Sequence, residues 1–346
     1  VIGFMGYDGG DTQSGQYGLE RFYDDVLARS GSSLYTNFFA DLFTNLSRPH
    51  GARPGADVVT SIEPTTQGFL EEEIDRYIAT WHPESAGGII IDPQTGAVIA
   101  MAARPAYDPN DVAHSDPASF KNPLVEDVYE FGSIMKPLTM AAGIDAGVVT
   151  PTTTYDDKGF AIYDGSKIQN FDGKGRGVVP MQEVLNQSLN TGAAYVAVQK
   201  LGTAKFRDYF TRYGLMAPTG IDLPNEAKPL VRNLESPRQI EYATASYGQG
   251  FAVTPIAMAR ALGTLANHGL VPSPHVAVAL DYPGEPAKKS DTLTPVRAMS
   301  AETADTVTTM LVQVVDKALR GATARAPALS LAAHPGPAQI ADPSTH

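Results

Sequence analysis

The sequence predicts an α+β fold, because apolar strands joined by a turn occur in the same chain as stretches with helical periodicity. Residues 87–91 and 97–103 are short apolar runs, and the residues between them, Asp92-Pro-Gln-Thr-Gly96, supply turn geometry through proline and glycine. These runs are predicted to form a β-hairpin. Residues 134–146 are apolar with helical spacing and predict a buried helix, for which Gly147 is the expected stop.

Two domains are expected in a chain of 346 residues, of which 43% are hydrophobic. Aromatic-rich helical pieces at residues 18–23 and 34–39 are followed by a segment rich in proline and glycine at residues 47–55, which is typical of a linker. The boundary is therefore placed after residue 55. Residues 1–55 form the smaller N-terminal region and residues 56–346 the larger domain.

Further helices are indicated along the larger domain. One is predicted from Thr66 to about Trp81. A second begins at Thr254-Pro255 and ends near Gly269, and a third begins at Ser300 and ends near Gly321, because each has a capping residue at its start and a glycine at its end.

Composition excludes several classes of function. The net charge of −12 without a basic cluster argues against nucleic-acid binding. The absence of cysteine excludes disulfides and thiolate metal sites, and the seven histidines show no metal-ligand spacing, so neither metal nor cofactor is expected. The glycines of residues 171–177 fit neither a phosphate-binding loop nor a dinucleotide fingerprint and predict a plain loop.

Ser133 and Lys136 have the spacing of a nucleophile and its base. Positions i and i+3 of a helix share one face, and a lysine held neutral by desolvation can remove the proton of a serine hydroxyl. Pro137 belongs in the first turn of a helix and so places Ser133 at the helix N-terminus, where the free N–H groups favour a developing negative charge.

A second polar pair, Ser188 and Asn190, is predicted in a turn between two helical segments. Such a turn can pass a proton to a leaving amine and hold a substrate amide. Both pairs also have a purely structural explanation. A serine before an apolar helix is commonly only its N-cap, and the second pair is also explained by a helix N-cap together with an asparagine that ends a helix.

Five further stretches accompany these motifs. Together with Ser133-x-x-Lys136 and Ser188-x-Asn190 they make nearly the whole chain resemble the class B penicillin-binding proteins, the peptidoglycan D,D-transpeptidases of cell division or elongation. The stretches are residues 91–101 (IDPQTGAVIAM), 104–110 (RPAYDPN), 129–137 (YEFGSIMKP), 219–224 (TGIDLP) and 247–250 (YGQG).

The resemblance implies a fold, a reaction and a role for each matched residue. The implied fold is a penicillin-binding/serine β-lactamase-like transpeptidase domain, in which helices flank an antiparallel sheet and form an all-helical subdomain. It is expected to be incomplete at the C-terminus and to be preceded by part of a pedestal. Ser133 is implied to be acylated by the penultimate D-alanine of a stem peptide, with Lys136 as general base. Ser188 is implied to pass the proton to the leaving D-alanine, and Asn190 to hold the acyl-side amide and Lys136. β-Lactams are implied to stall the enzyme as acyl adducts.

The third motif of the family, K-T-G followed by a small residue, is replaced here by His334-Pro335-Gly336-Pro337. The lysine that attracts the substrate carboxylate becomes a histidine that is mostly neutral at pH 7. The residue after the glycine normally donates a backbone N–H to the oxyanion hole, and proline has none. His334, Gly336 and Pro337 are therefore expected to bind substrate only weakly, and acylation of Ser133 is expected to be severely slowed.

The resemblance carries expectations about the rest of the protein. Relatives continue with two strands and a helix, so this chain is expected to be truncated at its C-terminus and to have a gap in its sheet. It is expected to act at the outer face of the bacterial cytoplasmic membrane, through an N-terminal anchor absent from the sequence, beside a glycosyltransferase and other wall-synthesis proteins. Two alternatives stay open: a serine β-lactamase, against which the pedestal-like residues 1–55 argue, and a non-catalytic cell-wall scaffold.

Overall fold

A computed structural model describes residues 1–7, 13–27, 55–289, 295–319 and 328–336. The helices of these residues are α1 (Gly18–Phe22), α2 (Asp24–Leu27), α3 (Pro64–Trp81), α4 (Pro123–Glu126), α5 (Lys136–Asp145), α6 (Met181–Asn186), α7 (Asn190–Ala194), α8 (Thr203–Arg212), α9 (Gln239–Ala245), α10 (Pro255–Ala266) and α11 (Ala301–Gln313). The strands are β1 (Met5–Tyr7), β2 (Gln13–Gly15), β3 (Asp57–Thr60), β4 (Ala86–Ile91), β5 (Val98–Arg104), β6 (Thr154–Asp157), β7 (Phe160–Tyr163), β8 (Ser166–Gln169), β9 (Gly177–Pro180), β10 (Leu270–Val271), β11 (Ala277–Asp281), β12 (Lys288–Lys289) and β13 (Val296–Arg297). Helices and antiparallel strands occur together, which confirms the α+β prediction.

The strands pair in small antiparallel sheets. Within the described residues the pairs are β1 with β2, β4 with β5, β6 with β9, β7 with β8 and β10 with β13, and β11 lies between β3 and β12. The predicted hairpin is confirmed as β4 and β5. Its turn is held by Asp92, whose carboxylate accepts hydrogen bonds from the N–H of Gln94 at 2.9 Å and the hydroxyl of Thr95 at 2.7 Å.

Helix α5 lies at the centre of the largest apolar cluster. Leu138, Ala141 and Ala142 are fully buried in it. The predicted buried helix is therefore confirmed, although its first residues, Gly132–Met135, form a 3₁₀ turn before the α-helix begins at Lys136. Because the helix is buried, its first turn places polar side chains in a dry environment.

The other predicted helices are also present, with shifted ends. Helix α3 begins at Pro64, two residues early, because Glu63 caps it by accepting from the backbone of Thr65 and Thr66. Thr254 and Ser300 cap α10 and α11 as predicted. Helix α11 continues into a π-helix at Val314–Ala318, and its predicted end near Gly321 lies outside the described residues.

The described part of the N-terminal region packs on a second apolar cluster. Leu19 joins Val98 and Met101 there, and the Tyr23 hydroxyl donates to Asp222 at 2.9 Å. The helical piece at 34–39 and all but the last residue of the linker at 47–55 lie outside the described residues, so the boundary after residue 55 stays a prediction. Among the described helices there is none with the length and apolar character needed to cross a bilayer.

Candidate active site

The side chains of Ser133 and Lys136 meet at the start of α5. Ser133 lies in the 3₁₀ turn and is 8% exposed, and Lys136, the first residue of the helix, is 1% exposed. The distance between Lys136 Nζ and Ser133 Oγ is 2.8 Å. The i, i+3 spacing in the sequence therefore does bring hydroxyl and amine into hydrogen-bond contact.

Ser188 completes the surroundings of the Lys136 amine. Lys136 Nζ donates to the backbone carbonyl of Ser188 at 2.6 Å and lies 2.9 Å from Ser188 Oγ. Ser188 adopts a φ of +53°, a left-handed conformation that is unfavourable for a side chain other than glycine and that persists only where the surrounding structure enforces it. The turn between α6 and α7 thus presents both oxygens of Ser188 to the lysine.

Burial lowers the pKa of Lys136 to about 7. The cause is desolvation, which disfavours the charged ammonium form. In the neutral form the nitrogen keeps two N–H donors and gains a lone pair. The carbonyl of Ser188 can only accept a hydrogen bond, whereas the hydroxyls of Ser133 and Ser188 can donate to that lone pair. The arrangement is suited to withdrawing the Ser133 proton at neutral pH.

Asn190 is the first residue of α7 and does not contact the lysine. Its Nδ2 donates to the carbonyl oxygen of Gln169, at the end of β8, over 3.0 Å. In the described part of the chain no hydrogen bond joins Asn190 to Lys136, so the implied contact between them is not formed. The physical reason is that Ser133 and Ser188 already occupy the three hydrogen-bond positions of the Lys136 nitrogen.

A glycine loop supports the turn that carries Ser133. Gly132 donates its N–H to the carbonyl of Gly248 at 3.0 Å. Gly248 has a φ of +84°, and a Cβ on it would lie 2.0 Å from the carbonyl oxygen of Gly132, so only glycine fits. Thr139 of α5 donates to Ser246 at 2.8 Å in the same loop. In the sequence, residues 247–250 contributed only to the family resemblance, and their contact with Gly132 was not predictable.

The altered third motif lies against the same turn. A Cβ at Gly336 would lie 2.1 Å from Ile134 Cγ1, so residue 336 packs directly on the residue after Ser133. Residues 328–336 form turn and coil. No strand is formed from residue 328 to residue 336, in keeping with the missing N–H of Pro335. Pro337 lies outside the described residues.

His334 faces the lysine from this segment. Its Nδ1 donates to the carbonyl of Pro335 at 2.7 Å, and its Nε2 is buried. Burial, and secondarily the charge of Lys136, lower the pKa of His334 to about 4. With this pKa the imidazole is neutral at pH 7 and supplies no cation for a substrate carboxylate.

Comparisons with known proteins place most of the chain in one family. A family model described as the penicillin-binding protein transpeptidase domain matches residues 86–346. The chain is 30% identical to stage V sporulation protein D of Bacillus subtilis over 91% of its own length and 49% of that protein. It is 29% identical to the probable peptidoglycan D,D-transpeptidase FtsI of Caulobacter vibrioides over 78% of its own length and 41% of that protein. The chain thus spans about half, or less, of the length of these relatives.

A solved structure is similar over the whole chain. The apo form of penicillin-binding protein 3 from Mycobacterium tuberculosis superposes with a TM-score of 0.87 and 26% identity, covering 100% of this chain and 75% of that one. Complexes of the same protein with aztreonam and with ampicillin superpose with TM-scores of 0.80. The fold of this chain is therefore similar to that of a protein with solved structures in complex with two β-lactams.

Proposed function

Because this chain belongs to the penicillin-binding protein transpeptidase family, as a member of class B, we propose that it cross-links peptidoglycan stem peptides through an acyl-enzyme on Ser133. One observation carries the proposal. A buried lysine, Lys136, with a pKa lowered to about 7 has its nitrogen 2.8 Å from the Ser133 hydroxyl oxygen. A serine flanked in this way is activated at neutral pH without a metal or cofactor.

The first half of the reaction forms the acyl-enzyme. Neutral Lys136 accepts the Ser133 proton while Oγ attacks the carbonyl of the penultimate D-alanine. The tetrahedral intermediate then collapses, the C–N bond to the terminal D-alanine breaks, and the proton is delivered to the leaving amine through Ser188, which contacts the same lysine. Asn190 holds the acyl-side amide of the stem peptide. The Ser133 ester and free D-alanine are the products of this step.

The second half forms the cross-link. The amine of a second stem peptide attacks the ester carbonyl and loses a proton to Lys136, and the C–O bond to Ser133 breaks as its Oγ recovers a proton. A β-lactam reacts in the first half only: its ring amide opens, but the amine stays tethered to the acyl group and blocks the second peptide.

The third motif is proposed to slow this chemistry. Neutral His334 leaves the substrate carboxylate without a permanent cation at this position. Pro337 has no N–H for an oxyanion hole, and removing one such donor costs about 10²–10³ in rate. Weak, slow acylation is therefore the expected property of the chain as it stands.

Prolonged incubation with a fluorescent penicillin tests the proposal, with Ser133→Ala as the matched control. We expect one label per molecule, located on Ser133 by peptide mass spectrometry, at a rate that rises with pH through about 7 as Lys136 deprotonates. Label that is released during the incubation would instead indicate a β-lactamase. The absence of any label in folded protein would overturn the transpeptidase proposal and favour a non-catalytic scaffold.

The cellular setting follows from the substrate. Peptidoglycan precursors are polymerised outside the cytoplasmic membrane, so we propose that the protein works at its outer face beside a glycosyltransferase that supplies uncross-linked strands. Cross-linking in intact cells followed by mass spectrometry is expected to recover such an enzyme. Recovery of cytoplasmic proteins alone would contradict this placement.

A further inference from the structure

A buried polar cluster lies behind Asn190 and is not used by the chemistry above. Asp157 ends β6, Asn170 follows β8, and Thr191 is the second residue of α7; each is at least 95% buried. The Asp157 carboxylate accepts hydrogen bonds from the Thr191 hydroxyl at 2.8 Å and from Asn170 Nδ2 at 3.0 Å. It also accepts from the backbone N–H of Gly159 and of Arg176 at 2.9 and 3.1 Å.

The cluster fixes the start of α7 through hydrogen bonds to both the backbone and the side chain of Thr191. Its backbone N–H donates to Asn170 Oδ1 at 3.2 Å, while its hydroxyl reaches Asp157. A buried carboxylate is costly to desolvate, and hydrogen bonds inside a protein are stronger than in water. A residue held in this way at both its backbone and its side chain has little freedom to move.

The neighbours of the cluster are residues of the candidate site. Asn170 is adjacent to Gln169 and Thr191 is adjacent to Asn190, and these two neighbours are themselves joined by the 3.0 Å bond from Asn190 Nδ2 to the Gln169 carbonyl. A shift of Thr191 relative to Asn170 would therefore break that bond. While the bond is formed, the Oδ1 and the second N–H of Asn190 stay available to a ligand.

We propose that Asp157 is a positioning residue, which acts through Thr191 and Asn170 to hold the Asn190 amide in the orientation that receives the acyl-side amide of the substrate. Gln169 sets the direction of the amide, and Asp157 sets the distance between the two chain segments that carry Gln169 and Asn190. The part played by Asn190 rests on the proposed function. The control of its orientation by Asp157 is a property of the folded protein alone.

The first experiment needs no activity. In protein labelled with ¹⁵N-asparagine, the side-chain signal of Asn190 is assigned by its loss in Asn190→Ala. We expect two well-separated protons in the wild type, because only one is bonded to Gln169. Thr191→Val keeps the shape of the side chain but removes its hydroxyl. This variant and Asp157→Asn are each expected to bring the chemical shifts of the two Asn190 amide protons closer together and to speed the exchange of these protons with solvent. Thr191→Ser, the matched control, is expected to leave them unchanged.

An Asn190 signal that stays unchanged in folded Thr191→Val and Asp157→Asn would overturn the proposal. Loss of melting temperature without a change at Asn190 would mean that the cluster is structural only. Thr191→Val is the safeguard if Asp157→Asn fails to fold, because it leaves the carboxylate and its other donors in place.

The second experiment separates positioning from general damage. Benzylpenicillin carries an acyl-side amide, whereas 6-aminopenicillanic acid has a free amine at that position. Thr191→Val is expected to slow acylation by benzylpenicillin by about 10- to 100-fold and to affect 6-aminopenicillanic acid much less. When Asn190 is already replaced in Asn190→Ala, adding Thr191→Val is expected to cause no further loss of the acylation rate with benzylpenicillin. Equal losses of acylation rate for the two compounds would contradict the proposal that the cluster positions Asn190. If neither compound acylates the wild type, the proposed function fails, and the Asn190 signal still decides the role of Asp157.

Discussion

Among single residues, Lys136 couples chemistry to stability most directly. Its side chain is buried so completely that its pKa falls to about 7, and the same desolvation that provides a base at neutral pH penalises the folded state whenever the amine is charged. Its contacts with Ser133 and with both oxygens of Ser188 offset only part of that cost. Burial of Lys136 Nζ therefore favours the proposed chemistry and, at any pH where the amine is charged, disfavours folding.

This conflict predicts the pH dependence of stability. Between pH 7 and the ordinary lysine pKa, the unfolded chain binds a proton that the folded protein does not, so the free energy of unfolding rises by about 1.4 kcal/mol per pH unit from this group. Lys136→Met lacks that slope. Denaturant titrations of both proteins, below pH 7 and up to about pH 10, are expected to show the wild type gaining several kcal/mol relative to the variant. A pH-independent difference would mean that Lys136 is charged when folded.

A second residue-scale prediction concerns the third motif. Combining His334→Lys, Pro335→Thr and Pro337→Thr restores a cation beside Lys136 and a backbone N–H at residue 337. We expect acylation by a fluorescent penicillin to speed up by about 10²–10³. The same triple change on Ser133→Ala is the control and should take no label. An unchanged rate would show that the altered motif is not what limits acylation.

At the scale of elements, the 3₁₀ turn that carries Ser133 depends on the loop containing Gly248. Gly248→Ala forces a Cβ to within 2.0 Å of the Gly132 carbonyl at a φ of +84°. The matched control is Gly147→Ala, because Gly147 also has a positive φ, +68°, but nothing lies within 4 Å of its Cβ position. The control is expected to cost about 1 kcal/mol of stability from backbone strain.

Gly248→Ala is expected to cost at least about 2 kcal/mol more than the control, because a backbone segment must also move. It is further expected to slow acylation of Ser133, whereas Gly147→Ala should not. Urea denaturation and penicillin labelling of the two variants measure both effects. Equal losses of stability and unchanged labelling would mean that Gly248 does not determine the position of Ser133.

Elements with a local signature were predictable from the sequence. The hairpin of β4 and β5 and helix α5 follow from apolar patterning, and the starts of α10 and α11 follow from Thr254 and Ser300. The contact between Ser133 and Lys136 was predictable for the same reason, since it depends on helix spacing alone. The partners of Asn190 and Gly248 were not, because they come from residues 21 and 116 positions away in the chain.

At the scale of the whole molecule, one carboxylate joins three distant parts of the chain. Asp222 accepts from the backbone N–H groups of Val276 and Ala277, next to or within β11, at 2.6 and 2.7 Å, and from the hydroxyl of Tyr23 at 2.9 Å. The stretch at 219–224, noticed in the sequence only as part of a resemblance, thus has a structural role. It anchors the described N-terminal residues to the domain that carries the site.

This anchoring bears on the domain boundary expected after residue 55. If residues 13–27 fold together with the larger domain, Tyr23→Phe removes a hydrogen bond inside a single folding unit, the one from the Tyr23 hydroxyl to the buried Asp222 carboxylate. The free energy of unfolding is then expected to fall by about 1–2 kcal/mol, with far-UV and near-UV circular dichroism reporting one shared transition. Tyr7→Phe is the control, because Tyr7 is 67% exposed, and should change stability by less than about 0.5 kcal/mol. An unchanged main transition in Tyr23→Phe, with a separate early loss of near-UV signal, would mean that the N-terminal region folds independently and that the boundary is a true domain division.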